Sequence, residues 1–422
     1  MRKLLYLLLP ISVMLLSACT KDFGTAEVTY TKATAIYGDL DAVRNTNLLE
    51  GAKPIENAGK IFVAEDLLLI GEEGKGIHIV DNSNPENPEN LSFINIPGNR
   101  EYFVAGNTLY AESYYDMVKI DISNKTQPQL ISRVINAFKG DNDLKNAEGE
   151  ELIGFEFEVV TEEVEEDGDI FKRVWGQQDI LYFDYTNRII PPSQVPTSFA
   201  GNSNATIGSV NRIAVVEEFV YVISRRFLTT FEDAGALEKV GNPLSVFTDM
   251  ETVFPNGNQL LVGTAQSMEV FDISNNSDPR WVSSFPHANS CDPVLPCGNI
   301  AFVTLRTGDV GNCPGDENAL LVLDISQTWP EQIQEIEMES PFGMTIVNNK
   351  LYVGEGKNGL KVFNAEDKSN LTLETWEPNI EAYDIIHHPT NPNLILVAGP
   401  TGISQYEIEG GGDYSLISTL IF

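Results

Sequence analysis

The chain has 422 residues, room for two or three ordinary domains or one large repeat domain, and its 42% hydrophobic and 9% aromatic content is that of a folded protein. It carries 61 acidic residues against 27 Lys and Arg, a formal charge of −34. No basic cluster offsets that charge, so a nucleic-acid partner is excluded. The acids are either solvating charge on strands and loops or, in places, carboxylates close enough to hold a divalent cation such as Ca2+.

Residues 1–18 read as an export signal: Arg2 and Lys3 precede an apolar run from Leu4 to Leu16 that is too short to span a membrane comfortably. The sequence Leu16-Ser17-Ala18-Cys19 resembles the lipobox of bacterial lipoproteins. That resemblance implies cleavage before Cys19 and acylation of its thiol, a tether to a membrane without a span. The alternative is an ordinary secretory signal with an incidental Cys. Thr20-Lys21-Asp22 is similar to the signal that sends some Gram-negative lipoproteins to the outer surface, so an outer-membrane location is expected, with the cell-surface side favoured over the periplasmic one. Loss of residues 1–18 removes two positive charges (Arg2 and Lys3) and no acid, leaving −36.

Residues 19–58 form a leader that reads as a spacer, with one strand in Ala26–Tyr37 and a short helix in 38–47. From Gly59 onward a four-strand pattern begins: Lys60–Glu65, Leu67–Gly71, Ile77–Asp81 and Leu91–Ile96. Short apolar runs between Gly, Asn and Pro turns indicate antiparallel sheet. The order returns at Glu101, Val210, Met250, Cys291, Pro341 and Tyr383. The residue closing each third strand is Asp81, Asp121, Glu232, Asp272, Asp324, Asn364 and Glu407, at intervals of 40, 111, 40, 52, 40 and 43. A 40-residue unit of four strands predicts an all-β fold, a β-propeller of four-stranded antiparallel blades over 59–422. The interval of 111 holds an insertion at about 138–209 with an acidic ribbon, Phe155–Asp169. Seven blades plus that insertion is the favoured count; if Ile180–Asp184 is a third strand, there are eight.

The runs Ile77–Asp81, Val270–Ile273 and Leu321–Ile325 resemble the LVIVD repeat of bacterial surface lipoproteins. The motif Cys291-Asp292-Pro293-Val294, followed by Thr304–Gly308 and Cys313, is similar to one group of them whose function is undetermined. The resemblance implies a propeller-like fold and a surface location and implies no activity.

Export to an oxidising compartment makes one disulfide natural among Cys291, Cys297 and Cys313. In a propeller Cys291 and Cys313 share one face and Cys297 sits in a turn at the other, so Cys291–Cys313 is expected; the sequence-local alternative is Cys291–Cys297. The same topology gathers the starts of the first strands near one channel mouth. Glu101, Tyr102, Glu251, Asp292, Phe342, Tyr383 and Asp384 are therefore the candidate ligand or cation face, with Asn211 and Arg212 at equivalent places. Those acids either bind a cation or hydrogen-bond neighbouring blades. The Gly-rich turns at 73–76, 355–359 and 399–402 are tight turns, since no helix N-terminus follows to cradle a phosphate. His78, His287, His387 and His388 lack metal spacing, and no GxSxG elbow is present. No catalytic residue or cofactor is assigned, Ca2+ being the one open possibility. The expected role is a lipid-anchored binding or scaffolding module of the envelope with a protein or glycan partner. The alternatives are a channel-centred lyase or glycosidase and a purely structural envelope protein.

Overall fold

The computed structural model describes residues 24–56, 58–138, 145–175, 180–184, 186–190, 211–264, 266–287, 294–306, 318–409 and 414–422. They form eight sheets, seven of which are antiparallel meanders contiguous in sequence. We number these sheet 1 (49–95), sheet 2 (102–134), sheet 3 (213–245), sheet 4 (250–286), sheet 5 (294–337), sheet 6 (344–377) and sheet 7 (384–421). Each has four strands in chain order, and Leu49–Gly51 adds a fifth beside the outer strand of sheet 1.

The strand residues follow from where each strand lies. Second strands such as Leu67–Glu72 and Phe219–Ser224 are buried at every position, because both faces of the sheet are covered by neighbours. Outer strands such as Glu331–Glu337 are largely exposed, and polar. Third strands end at an acid that turns the chain: Ser274 donates its backbone N–H and its hydroxyl to Asp272 Oδ1 at 2.8 and 2.6 Å, and Asp81, Asp121 and Asp324 accept from Ser83, Ser123 and Ser326 in the same way. In sheets 1 and 7 the opposite end needs glycine. Gly76 and Gly402 open third strands at φ 152°, where an added Cβ would lie 2.0 Å from the Ile94 carbonyl oxygen or 2.1 Å from that of Leu420. This is the physical reason for the Gly-rich turns.

First strands of neighbouring sheets touch in sheets 1 and 2, 2 and 3, 3 and 4, 4 and 5, and 6 and 7, which places them innermost around a common axis. Between sheets lie separate apolar cores. Leu69 and Ile79 meet Leu109 and Ile120; Met117 meets Val220 and Phe231; Tyr221 meets Leu260 and Phe271; Val270 meets Leu321; Phe302 and Val322 meet Leu351 and Phe363; Tyr352 meets Ile395. Leu68 and Val80 of sheet 1 meet Leu396 and Ile403 of sheet 7, so the cycle closes. The buried amides of Asn82 and Gln405 exchange hydrogen bonds of 2.9 and 2.7 Å across that junction. The fold is a β-propeller, as the repeat predicts.

The eighth sheet differs. Thr25–Gly38 pairs antiparallel with Glu151–Glu165 over its whole length and parallel with Ile180–Phe183, in the order Glu151–Glu165, Thr25–Gly38, Ile180–Phe183, Ile189–Ile190. The leader, expected as a spacer, is thus a strand of a sheet shared with the insertion. Ile180–Phe183 is paired to that leader strand and is not the third strand of a meander. Tyr115 of sheet 2 anchors this sheet, its hydroxyl donating to the Leu152 carbonyl at 3.0 Å within a cluster that includes Ala33, Leu40 and Tyr182. Arg44, at the end of the helix Leu40–Arg44, grips the buried Asp116 of sheet 2 at 2.8 and 3.1 Å. Among the described residues no helix is long and apolar enough to cross a membrane.

Candidate functional site

The axis has two regions of opposite chemistry, set by distance along the first strands. At their starts is a charged cluster. Lys60 Nζ donates to Glu101 and, at 2.8 Å, to Asn211 Oδ1. Arg212 Nη2 donates to Glu112 Oε2 at 3.0 Å, and its Nε lies 3.8 Å from Glu101 Oε2. Lys60, Glu101, Glu112 and Asp384 are all 2% exposed or less, so water screens none of them. Burial pushes the Lys60 ammonium down, opposed chiefly by the Glu101 carboxylate and more weakly by Asp384. Burial likewise pushes the Glu112 carboxyl up to about 7 against the pull of Arg212 and Arg100, and its Oε1 has no hydrogen-bond partner.

This cluster is a stopper. Glu101 and Glu112 each already have a cation beside them from the chain itself. Tyr102, expected to face a ligand, is fully buried: its hydroxyl lies 2.5 Å from the Lys60 carbonyl oxygen and accepts from the Gly71 N–H at 3.1 Å. A ring with that many apolar neighbours and three hydroxyl contacts belongs to the joint between sheets 1 and 2. Tyr115 is buried in the same sense, against the eighth sheet.

The other expected residues are only partly buried. Phe342 and Tyr383 pack edge to face at 5.0 Å, the Arg306 guanidinium lies 4.3 Å from the Phe342 ring centroid, and Tyr383 donates to Glu381 at 2.8 Å. Glu251 acts on Arg306 through charge, while burial pushes that guanidinium down. Asp292, Cys291, Cys313 and Cys19 lie outside the described residues. Cys297 ends the first strand of sheet 5 with a free, half-buried thiol.

Beyond the stopper the first strands turn apolar. Ile61, Phe62, Val63, Phe254, Val294, Leu295, Met344, Ile385 and Ile386 surround a chamber of about 250 Å3, with Thr345, His387 and Pro389 completing its wall. His387 is three residues past Asp384, roughly 10 Å further along the axis at ~3.3 Å per residue. Its Nδ1 is 2.8 Å from Thr345 Oγ1, and burial pushes the imidazole down, helped by His388. The ring is therefore neutral at pH 7. In the sequence His387 stands out only as a histidine without metal spacing; its position at the end of an innermost strand, Asp384–His387, is what brings it to the axis.

A third feature lies on the outside. Trp281, Trp329 and Trp376 are 50%, 61% and 54% exposed on the outer edges of sheets 4, 5 and 6; Trp281, paired with Phe271, and Trp329, after Asp324, lie at the acid-turn end, and Trp376, paired with Lys361, at the opposite end. Trp281 and Trp329 meet edge to face at 6.4 Å. The Trp281 indole N–H donates to Glu269 at 2.6 Å and that of Trp376 to the Asn358 carbonyl at 2.8 Å, which fixes both rings while leaving them open to solvent.

A family model described as the LVIVD repeat matches residues 56–94 and 103–135, which are sheets 1 and 2. No match was found among the curated proteins. Among solved structures the chain is similar to the periplasmic gluconolactonase PpgL of Pseudomonas aeruginosa, at 11% identity and TM-score 0.51, covering 89% of this chain and 94% of that one. It is similar to a chain of the Mitotic Checkpoint Complex at 9% identity and TM-score 0.51, covering 83% and 87%. Hsv2 of Kluyveromyces lactis matches at 10% identity and TM-score 0.47 over 86% and 97%. At such identities the likeness concerns the fold. The chain carries LVIVD repeats in a β-propeller.

Proposed function

We propose that the chain is a lipid-anchored, extracytoplasmic module of the bacterial outer membrane that binds or scaffolds an envelope protein, tethered by acylated Cys19 and facing the cell surface. The lipobox-like Leu16–Cys19 supports the tether, and the Thr20-Lys21-Asp22 run supports the outward side. The observation that carries the binding role is the edge-to-face pair of exposed indoles Trp281 and Trp329 on the outer edges of sheets 4 and 5. Large aromatic rings held open to water and flanked by polar residues are the usual centres of protein interfaces. Glu331 and Glu335 on the outer strand after Trp329 favour a partner with basic groups around an apolar centre.

The test is recovery of partners from envelope extracts with the acylated chain and with a Trp281→Ser/Trp329→Ser variant. A partner retained by the first and lost by the second is expected; equal recovery by both removes the rim from the reading. In parallel, Cys19→Ser should move the chain from the membrane to the soluble fraction. Retention in the membrane would overturn the anchor. Protease shaving of intact cells reports the side, with cleavage expected for the surface orientation.

A further inference from the structure

We propose that the apolar chamber behind the Lys60–Glu101–Arg212 stopper is a blind binding site for one small, neutral, largely apolar molecule carrying a single hydroxyl-type group, which hydrogen-bonds His387. The inference goes beyond the rim interaction and does not depend on the anchor or the envelope partner.

Closing a ring of sheets leaves an axial space whatever its lining. The informative fact is what lines it here. Water held in a protein interior needs two to four polar partners. The chamber offers Thr345 and His387, and these already bond each other through Oγ1 and Nδ1, among walls of Ile, Val, Leu, Phe and Met. Water there is poorly held, and an apolar occupant displaces it with gain. With Nδ1 engaged by Thr345, Nε2 is the ring nitrogen left for a ligand. The neutral imidazole, held so by burial, suits an uncharged ligand and leaves no ionic attraction for a carboxylate or amine. The buried, mutually paired charges of the stopper lie outside the lining, and Pro389 on the wall is exposed, so entry is from the rim at Pro389.

Size narrows the class. A dry aliphatic cavity of ~150 Å3 admits benzene, so the roughly 250 Å3 here fits a two-ring or equivalent branched molecule. Dispersion contacts with the wall supply affinity, and the one polar pair fixes orientation.

The experiment titrates the full chain at pH 7 with 2-naphthol and with naphthalene, both read by fluorescence. Saturable binding of one molecule per chain is expected for both, with 2-naphthol bound about tenfold more tightly, the scale of one added neutral hydrogen bond. His387→Phe, which keeps the ring volume and loses the nitrogen, should cut that preference to less than about threefold while naphthalene binds as before. Ile386→Trp and Leu295→Trp each fill the chamber and should abolish both. No saturable binding to the folded wild-type chain overturns the site. Binding undiminished in both folded tryptophan variants also overturns it. A naphthol preference unchanged in His387→Phe overturns the role of His387. If both tryptophan variants lose the wild-type circular dichroism spectrum, a xenon-pressurised crystal of the wild type decides: xenon in the chamber supports the site and an empty chamber refutes it.

Discussion

Lys60→Met is the sharpest probe of the stopper. The change keeps most of the side-chain volume and removes the ammonium that bonds Glu101 and Asn211. Glu101, 2% exposed, is then left with Arg212 Nε at 3.8 Å from its other oxygen. Removing one member of a buried pair costs about 3–5 kcal/mol, because the remaining charge is uncompensated. The second contact to Arg212 offsets part of that, and the loss of a donor to Asn211 adds about 1 kcal/mol. We therefore expect a destabilisation of about 3–4 kcal/mol, read from denaturant unfolding at pH 7. Lys60→Met/Glu101→Leu should recover at least half of it, a coupling of about 2 kcal/mol in the double-mutant cycle. A single variant within about 1 kcal/mol of wild type, or a double variant equal to the two single losses together, would refute the stopper as a mutually dependent buried pair.

Three further outcomes follow from particular groups. Glu112, whose carboxyl is pushed up to about 7 in the fold, holds its proton more tightly there than in the unfolded chain, where a Glu titrates near ~4.3. Its contribution is fully present below that lower value and is lost as pH rises through about 7, a decline of roughly 3 kcal/mol across the window, so Glu112→Gln should flatten the stability profile between pH 4.5 and 7; an unchanged slope would show that Glu112 does not set it. Gln405→Leu strands the buried Asn82 amide at the junction of sheets 7 and 1 and should cost about 1–3 kcal/mol in thermal or denaturant unfolding, whereas the same change at an exposed outer-strand position such as Gln332 should cost under about 0.5 kcal/mol. A non-reduced peptide map should show Cys291 joined to Cys313 and Cys297 alkylated; a Cys291–Cys297 peptide would reverse that pairing.

The repeat was legible because each of the seven meanders folds from contiguous chain. Its strands and the polar turn that closes its third strand, Asp-x-Ser in sheets 1, 2, 4 and 5, are local, so a 40-residue period carries them. Pairings that join distant segments leave no such trace. Thr25–Gly38 finds Glu151–Glu165 across more than a hundred residues, and neither strand's alternation names its partner. Lys60 reads as an ordinary basic residue opening a first strand; what ties it into the stopper is Asn211, 151 residues away. Tyr102 follows Glu101 at a strand start, and nothing local distinguishes a ring that faces a ligand from one that closes a joint.

The innermost strands show why alternation alone does not read the axis. Period-two alternation tells inside from outside where one face of a sheet meets solvent. A first strand in this ring has a neighbouring sheet on each side, so alternation loses that meaning and the informative direction runs along the strand. Read that way, Lys60 gives way to Ile61, Phe62 and Val63, and Asp384 to Ile385 and Ile386 before His387. Charge at the entry residue and hydrocarbon in the next two or three recur in both, because the entry end is sealed by ion pairs and the remainder by packing. The acids that draw attention in the sequence therefore mark the closed end of the axis, and the chemistry open to a small ligand lies about 10 Å further on, at Thr345 and His387.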